Sequence, residues 1–507
     1  MTRLIVAALV WSLAAVSGCA VGPDYRPAPM AAPEAWQAAG ETSNSALADS
    51  RNGEDAAALA RWWTWFDDAT LNALIDTALA QNLDVRAAQA RIHAARGERR
   101  AALAGVGPQV GVSAGSQRLQ NPMPGLAPGL TFSLHEIGFD ARWELDLFGR
   151  QKRRVEAADA VVAASQAELD GARTALCAEL ARSYWELRAT DAQIALTHEA
   201  VELHSRDAQH AKRLASAGVG TREAALGTDS QLAVAQSRLA EQQLARGVAQ
   251  RQIERLLAVE PGQLTTSLAT RATVLPQFAP RLLLTPTAVL RNRPDIQRAE
   301  RQLAAATALK GAAMADMYPR VSLAMFFGLR NTALSGLMTL ASKSWSAGGS
   351  VLQPLFDHGR LRAMVDVNDA HIERAMVEYE RATLTALHET EDALALWLTA
   401  ERERDAQALA LTDHEAILAL VMHRQRQGLA GAQEVIGTQL AVLAARGELR
   451  HSESRVTGAT IAVLKALGAG ITRDDNGPVM VGLAGDARPA GPRAALPTAD
   501  ANAYRPH

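Results

Sequence analysis

The chain aligns with itself at a shift of about 210 residues. Asn82 to Gly115 runs without a gap onto Arg293 to Phe326, placing Asp84 on Asp295, Ala88 on Ala299, Pro108 on Pro319 and Val110 on Val321. Further along, Gly149-Arg150 meets Gly359-Arg360, Asp159-Ala160 meets Asp369-Ala370, Gly218 meets Gly428, and Gly227-Thr228 meets Gly437-Thr438. A period this long exceeds that of solenoid repeats. One half-domain has been built twice, and repeated halves suit a closed ring around an axis.

Proline shows what each half contains. None of the 20 prolines falls within 129–260 or 355–477. Proline breaks helices, so long helices can occupy those stretches. Val155, Ala158, Val162, Leu169, Ala172, Leu176, Leu180 and Leu187 recur at helical spacing. A helix of roughly 65 residues would be about 100 Å long, beyond any ordinary globular domain. Each run ends at a small-residue turn, Gly218-Val219-Gly220 or Gly428-Leu429-Ala430. A second helix then returns, over about 223–259 and 433–467. Each half offers a long antiparallel helical hairpin.

Four short segments differ in character: 109–117, 137–145, 320–329 and 345–354. They carry Val, Phe or Trp at alternate positions in part, with small or polar residues between. Transmembrane strands need about 9–11 residues and show this weak alternation. Four strands cannot close a barrel, but three copies give twelve, within the known range. A trimer is therefore expected, with a long antiparallel coiled-coil α-barrel and a small 12-stranded β-barrel, the fold being mostly α.

The N-terminus reads as a targeting segment. Arg3 precedes an apolar run from Leu4 to Val16, too short to span a membrane comfortably. Ser17-Gly18-Cys19 follows like a lipobox, which makes Cys19 a lipidation site and residue one of the mature chain. An ordinary signal peptide with an incidental cysteine is the plainer alternative. Acyl chains on Cys19 would anchor the protein to a membrane. Cys177 lies within a helical run and reads as a small buried hydrophobe. The balance of 52 Lys+Arg against 54 Asp+Glu gives no support for nucleic-acid binding.

The order is then a signal peptide over 1–18, an extended arm over 19–60, one repeat over 61–260, a second over 261–472, and a disordered Pro-, Gly- and Ala-rich tail over 473–507. The run Arg61-Trp62-Trp63-Thr64-Trp65-Phe66 is expected to pack rather than bind a ligand. No HExxH, CxxC, Walker loop or G-x-S-x-G motif occurs, so no enzyme and no cofactor is expected. His204, His210, His414 and His423 are better explained as solvated helix faces than as metal ligands.

Several pieces, in order, carry a resemblance. They are Cys19-Ala20-Val21-Gly22-Pro23-Asp24-Tyr25, Trp62-Trp63 to Phe66-Asp67, Leu74-Ile75 through Asn82, and Trp143 to Arg150 (WELDLFGR). Leu290 to Ile296 (LRNRPDI), Pro354-Leu355-Phe356-Asp357 with Gly359-Arg360, and Lys465-Ala466-Leu467-Gly468 complete the set. Together they cover nearly the whole mature chain. The chain resembles the outer-membrane efflux proteins, the TolC-like family, and within it the NodT-type lipoproteins of resistance-nodulation-division efflux systems. Two departures are visible. The usual Gly-Gly-Gly-Trp ending reads Gly468-Ala469-Gly470-Ile471, and the usual Asp-Pro reads Asp67-Asp68-Ala69.

The resemblance implies a homotrimeric exit duct whose barrel sits in the outer membrane and whose helical tunnel crosses the periplasm. There it would meet a periplasmic adaptor and an inner-membrane pump. It assigns adaptor contact to the tips Gly218, Val219, Gly220, Gly428, Leu429 and Ala430, although those glycines also serve simply to close turns. It implies an acidic gate ring after the second tip, where this chain has Glu434; a second acidic position is Gly437 here. Glu434 also reads as an ordinary first-turn helix charge. Arg424 and Arg426 could pair with acidic groups across subunits and hold the mouth shut. Drugs, solvents or similar toxic compounds are the expected cargo. A protein-exporting duct of a type I system and a non-conducting coiled-coil envelope lipoprotein are the alternatives.

Overall fold

The computed structural model describes residues 20–27, 32–37, 59–120, 131–269 and 285–470. The expected signal peptide, Cys19, the 121–129 loop and the 473–507 tail lie outside the described residues.

After a 3-10 turn at Trp62–Phe66 come α1 (Ala69–Gln81), α2 (Leu83–Ala104), β1 (Gln109–Gln120) and β2 (Thr131–Leu145). The first long hairpin is α3 (Arg150–Ser216) and α4 (Arg222–Leu256). The plan then repeats: α5 (Pro286–Asn292), α6 (Pro294–Ala315), β3 (Arg320–Asn331), β4 (Lys343–Leu352), α7 (Arg360–Arg426) and α8 (Ala432–Ala466). Helices α3 and α7 each have 67 residues, and α4 and α8 each have 35. At 1.5 Å per residue the longer pair reaches about 100 Å.

Local chemistry sets the boundaries. Asp68, which stands where the resemblance expects proline, caps α1 by accepting from the Thr70 and Leu71 amides at 2.8 and 2.9 Å, and it also accepts from the Tyr184 hydroxyl at 2.7 Å. Asn82 ends α1 and caps α2 through Asp84 and Val85. Gly149 and Gly359, both at positive φ, turn the chain from strand into long helix. Alanines let α3 and α6 approach closely, with Ala157, Ala164, Ala304, Ala308 and Ala312 all buried.

The bulky core is confined to the middle of the helices. Trp62, Trp63, Phe66, Leu71, Ile75, Tyr184, Trp185, Leu187 and Ile253 form one cluster. Trp36, Val289, Leu394, Trp397, Val456 and Val463 form another. The tryptophans of the 61–66 run are thus core: Trp62 and Trp63 meet edge to face at 6.0 Å, and Phe66 tilts against Trp185 at 5.5 Å. Among the described residues, no helix is long and apolar enough to cross a membrane.

The four strands form one antiparallel sheet in the order β1-β2-β3-β4. Gly138 faces Gly328, and Phe327 faces Trp345. Strand β2 begins at Thr131, upstream of the 137–145 segment legible in the sequence. Strands β1 and β4 are the sheet's two edges.

Candidate functional site

Three parts of the fold can act: the sheet, the two hairpin tips and the arm strapped beside the sheet.

Alternation sorts the sheet into two faces. Val110, Val112, Phe139, Trp143, Leu323, Met325, Phe327, Trp345 and Val351 fall on one face by register, and all are exposed. The other face carries Gln109, Ser113, Glu136, Asp140, Arg142, Ser322, Arg330, Ser346 and Ser350. An apolar outer face over a polar inner one is the signature of a membrane β-barrel wall. On the polar face Arg330 Nε donates to Glu136 at 2.9 Å, and its guanidinium lies 4.0 Å over the Phe326 ring. That ring is buried because Gly138 and Gly328 leave room for it; a Cβ on either would come within 2.8 or 2.9 Å of Phe326 Cζ. The arrangement keeps a large aromatic flat against the wall.

The two tips share one backbone design. Gly218 and Gly428 both sit at φ +74°. The Val219 amide donates to Leu214 O at 3.0 Å, and the Leu429 amide to Arg424 O at 2.8 Å. These close the last carbonyls of α3 and α7, for which a left-handed glycine is the ordinary device. Val219 and Leu429 are 79% and 65% exposed, one apolar side chain projecting from each turn. Gly220 is held close, since a Cβ there would come within 2.9 Å of Leu214 Cβ, whereas its counterpart in the second repeat is Ala430. A shared groove lined by Leu203, Leu418 and Val442 sets α3, α7 and α8 side by side above the turns, so both lie at the same end.

Side-chain chemistry distinguishes the tips. Thr221 caps α4 by accepting from the Ala224 amide at 3.1 Å. Helix α8 starts at Gly431 with no side-chain cap. Instead Arg424 donates to Glu434 at 2.9 Å and to Leu429 O at 3.3 Å. Sequence reasoning left Arg424 free to reach across subunits and Glu434 free to form a ring. The fold pairs them within one hairpin, because the turn brings positions ten apart together. Glu434 does occupy the first turn of α8. Arg426 is exposed on the last turn of α7.

The arm beside the sheet is held by a residue of α3 that sequence reasoning missed. Arg153 is 4% exposed. It donates to Val21 O at 3.2 Å, Gly22 O at 3.1 Å, Asp24 at 2.7 Å and Glu156 at 2.8 Å. Its hydrogen bond and charge hold the Asp24 carboxyl below the usual 3.8, with Lys152 and Arg26 adding to the field. Ala20 packs on Gly149, where any Cβ would lie within 2.8 Å of it. Gly22 packs likewise on Gly311. The arm therefore seats the chain next to Cys19 at the foot of β2. The Gly22-Pro23-Asp24-Tyr25 motif and the basic run 152–154 were the available signals. Cys177 is fully buried, which pushes its thiol up to about 12. Among the described residues no group of three ligand-type side chains could hold a metal.

A membrane strand sheet carried on paired hairpins about 100 Å long defines an outer-membrane channel protein. The family model "Outer membrane efflux protein" matches residues 74–259 and 285–469, one match for each repeat. The chain belongs to the outer membrane efflux protein family. It is 32% identical over 436 residues to the outer membrane protein OprJ of Pseudomonas aeruginosa, covering 84% of this chain and 87% of that protein. It is 29% identical over 479 residues to the solvent efflux pump outer membrane protein SrpC of Pseudomonas putida, covering 92% and 98%. The structure of the outer-membrane channel OprN superposes with a TM-score of 0.79 at 31% identity, covering 89% of this chain and 99% of that one. The Campylobacter jejuni CmeC channel shares the fold, with a TM-score of 0.79 at 20% identity over 89% and 95%. The family's members are efflux proteins of the outer membrane and not enzymes.

Proposed function

We propose that three copies of this chain form a passive exit duct of a tripartite efflux system. It takes antibiotics, solvents or similar small toxic compounds from an inner-membrane pump through a periplasmic adaptor. The carrying observation is the sheet: an apolar face, a polar face, and two edge strands that must be paired within a bilayer. Pairing β4 of one copy with β1 of the next satisfies every edge and makes twelve strands. The named functions of the solvent efflux pump protein SrpC and the antibiotic efflux pump protein ArpC support solvent and antibiotic cargo.

The same reading takes residues 61–260 and 261–472 as the two repeats and Cys19 as the lipidated residue of a NodT-type lipoprotein. The adaptor docks on the turns at Gly218, Val219, Gly220, Gly428, Leu429 and Ala430, where Val219 and Leu429 supply apolar contact. The closed mouth is held by the second tip. Arg424, shared between Glu434 and Leu429 O, stiffens that turn, and Arg426 stands beside it. An exposed pair contributes only about 0–1 kcal/mol, so a docking partner can break it.

Purified protein in planar bilayers should give discrete conductance steps, and a flat record would overturn the duct. Glu434→Ala should raise the closed-state conductance and antibiotic leakage. An unchanged channel would remove Glu434 and Arg424 from the gate.

A further inference from the structure

Among the described residues, four helices carry an acid in the first turn: Asp84 in α2, Glu223 in α4, Asp295 in α6 and Glu434 in α8. That follows the helix dipole, whose positive end favours anions. Helices α3 and α7 do the reverse. Neither has an acid inside its first turn, although Asp146 and Asp357 just before them accept from the first amides, and they open Arg150-Gln151-Lys152-Arg153-Arg154 and Arg360-Leu361-Arg362. Among the described residues this run of first-turn cations is confined to the two helix starts that abut the sheet, and it occurs in both repeats.

Fold stability explains only part of it. Arg150 bridges Glu144 and Asp316, and Arg153 holds the arm. Lys152, Arg154 and Arg362 are exposed. Arg360 is 65% exposed and stands 4.0 Å from Asp357, whose oxygens already accept from the Gly359 and Leu361 amides. On the sheet side of Arg360 and Arg362 the surface is apolar: Leu355 is 92% and Phe356 80% exposed, following Val351 on the apolar face of β4. The arm that leads back to Cys19 also leaves from this level, bonded across the start of α3.

Apolar wall, exposed aromatic shelf, then cations within one helical turn match the order of acyl chain and phosphate at a bilayer surface. Charge complementarity and continuity with the apolar sheet face identify the occupant. We propose that Lys152, Arg154, Arg360 and Arg362 form a collar that binds anionic phospholipid headgroups of the periplasmic leaflet, with acyl chains laid along Leu355 and Phe356. This rests on the sheet being a membrane wall. Such a collar sets the depth of the barrel and orders lipid around the seam where strand becomes helix.

The test is native mass spectrometry of delipidated full-length protein titrated with phosphatidylglycerol or phosphatidylcholine, with single-channel recording in parallel. Wild type should prefer phosphatidylglycerol. The triple variant K152Q/R154Q/R362Q should lose that preference by on the order of a hundredfold, given three near-surface cations removed, while phosphatidylcholine binding and conductance stay unchanged. L355S/F356S should weaken both lipids equally. A triple variant that keeps the preference, or a wild type with none, overturns the collar. Absent wild-type conductance instead indicts the duct reading itself. The same spectra report whether each variant keeps its oligomeric mass.

Discussion

The two repeats match in their long helices and their tips and differ in chemistry. Asn82 and Arg293 hold matching positions. Asn82 donates to Leu256 O at 2.8 Å, and Arg293 donates to Ala466 O at 3.2 Å. Each satisfies a carbonyl at the end of its own return helix, where the helix has no internal partner. Backbone need is conserved between the halves, and the side chain that meets it is not. At mid-height the contrast is sharper. In the first repeat Arg188 and Arg246 both bond Asp191, at 3.2 and 2.6 Å, and reach on to Ala269 O and Leu268 O. In the second, Val456 stands where Arg246 does, amid Leu394, Trp397 and Val463. At this level one half is held by buried ions and the other by hydrophobes. A duplicated frame can therefore diverge wherever two chemistries satisfy one geometry.

The largest expected effect tests that contrast. The Asp191 side chain is 0% exposed and Arg188 is 1% exposed. Asp191→Ala strands two guanidiniums and should cost about 3–5 kcal/mol. The matching Glu401→Ala removes a pair with Arg404 that keeps 28% and 20% exposure, and should cost no more than about 1 kcal/mol. Thermal unfolding of both variants in detergent would show it; equal losses would mean the halves are held alike.

The tips should answer the other way, by matching. Gly218 and Gly428 share φ +74° with open space where a Cβ would sit. Gly218→Ala and Gly428→Ala should each cost about 1 kcal/mol from the left-handed backbone alone. Unequal costs would show that the Arg424–Glu434 pair, present at one tip only, strains or supports its turn.

The smallest effect separates the strand-to-helix junctions. Only Gly149 carries the arm, while nothing lies within 4 Å of a Cβ at Gly359. Arg153 holds the Asp24 carboxyl below 3.8, so the contact is fully present above that pH and is lost as pH falls through the depressed value. Protease nicking of the arm should rise only below about pH 3.8, and Asp24→Asn should show that susceptibility at neutral pH. An arm equally protected in Asp24→Asn would show that the packing of Ala20 and Gly22 suffices.

Strand β2 illustrates what the sequence conceals. His135 and Glu136 lie upstream of the 137–145 segment legible in the sequence. They belong to the sheet because Ser116 lies 2.9 Å from the His135 ring and Arg330 meets Glu136. Those partners lie across the fold, so no local window could supply them. Arg424 and Glu434 were legible as candidates, but their bond required the turn between them. Arg153 looked like one more basic residue until the arm closed over it.

The sequence by itself determined the duplicated plan, the long helices and their tips. These rest on local rules: proline exclusion, helical spacing, and glycine where the chain must turn left-handed. Tertiary structure decided which charges are bonded, which aromatic lies flat on the inner wall, and where the arm is seated. Those depend on what the other repeat or a distant strand brings within about 3 Å, a distance set by packing and not by spacing along the chain.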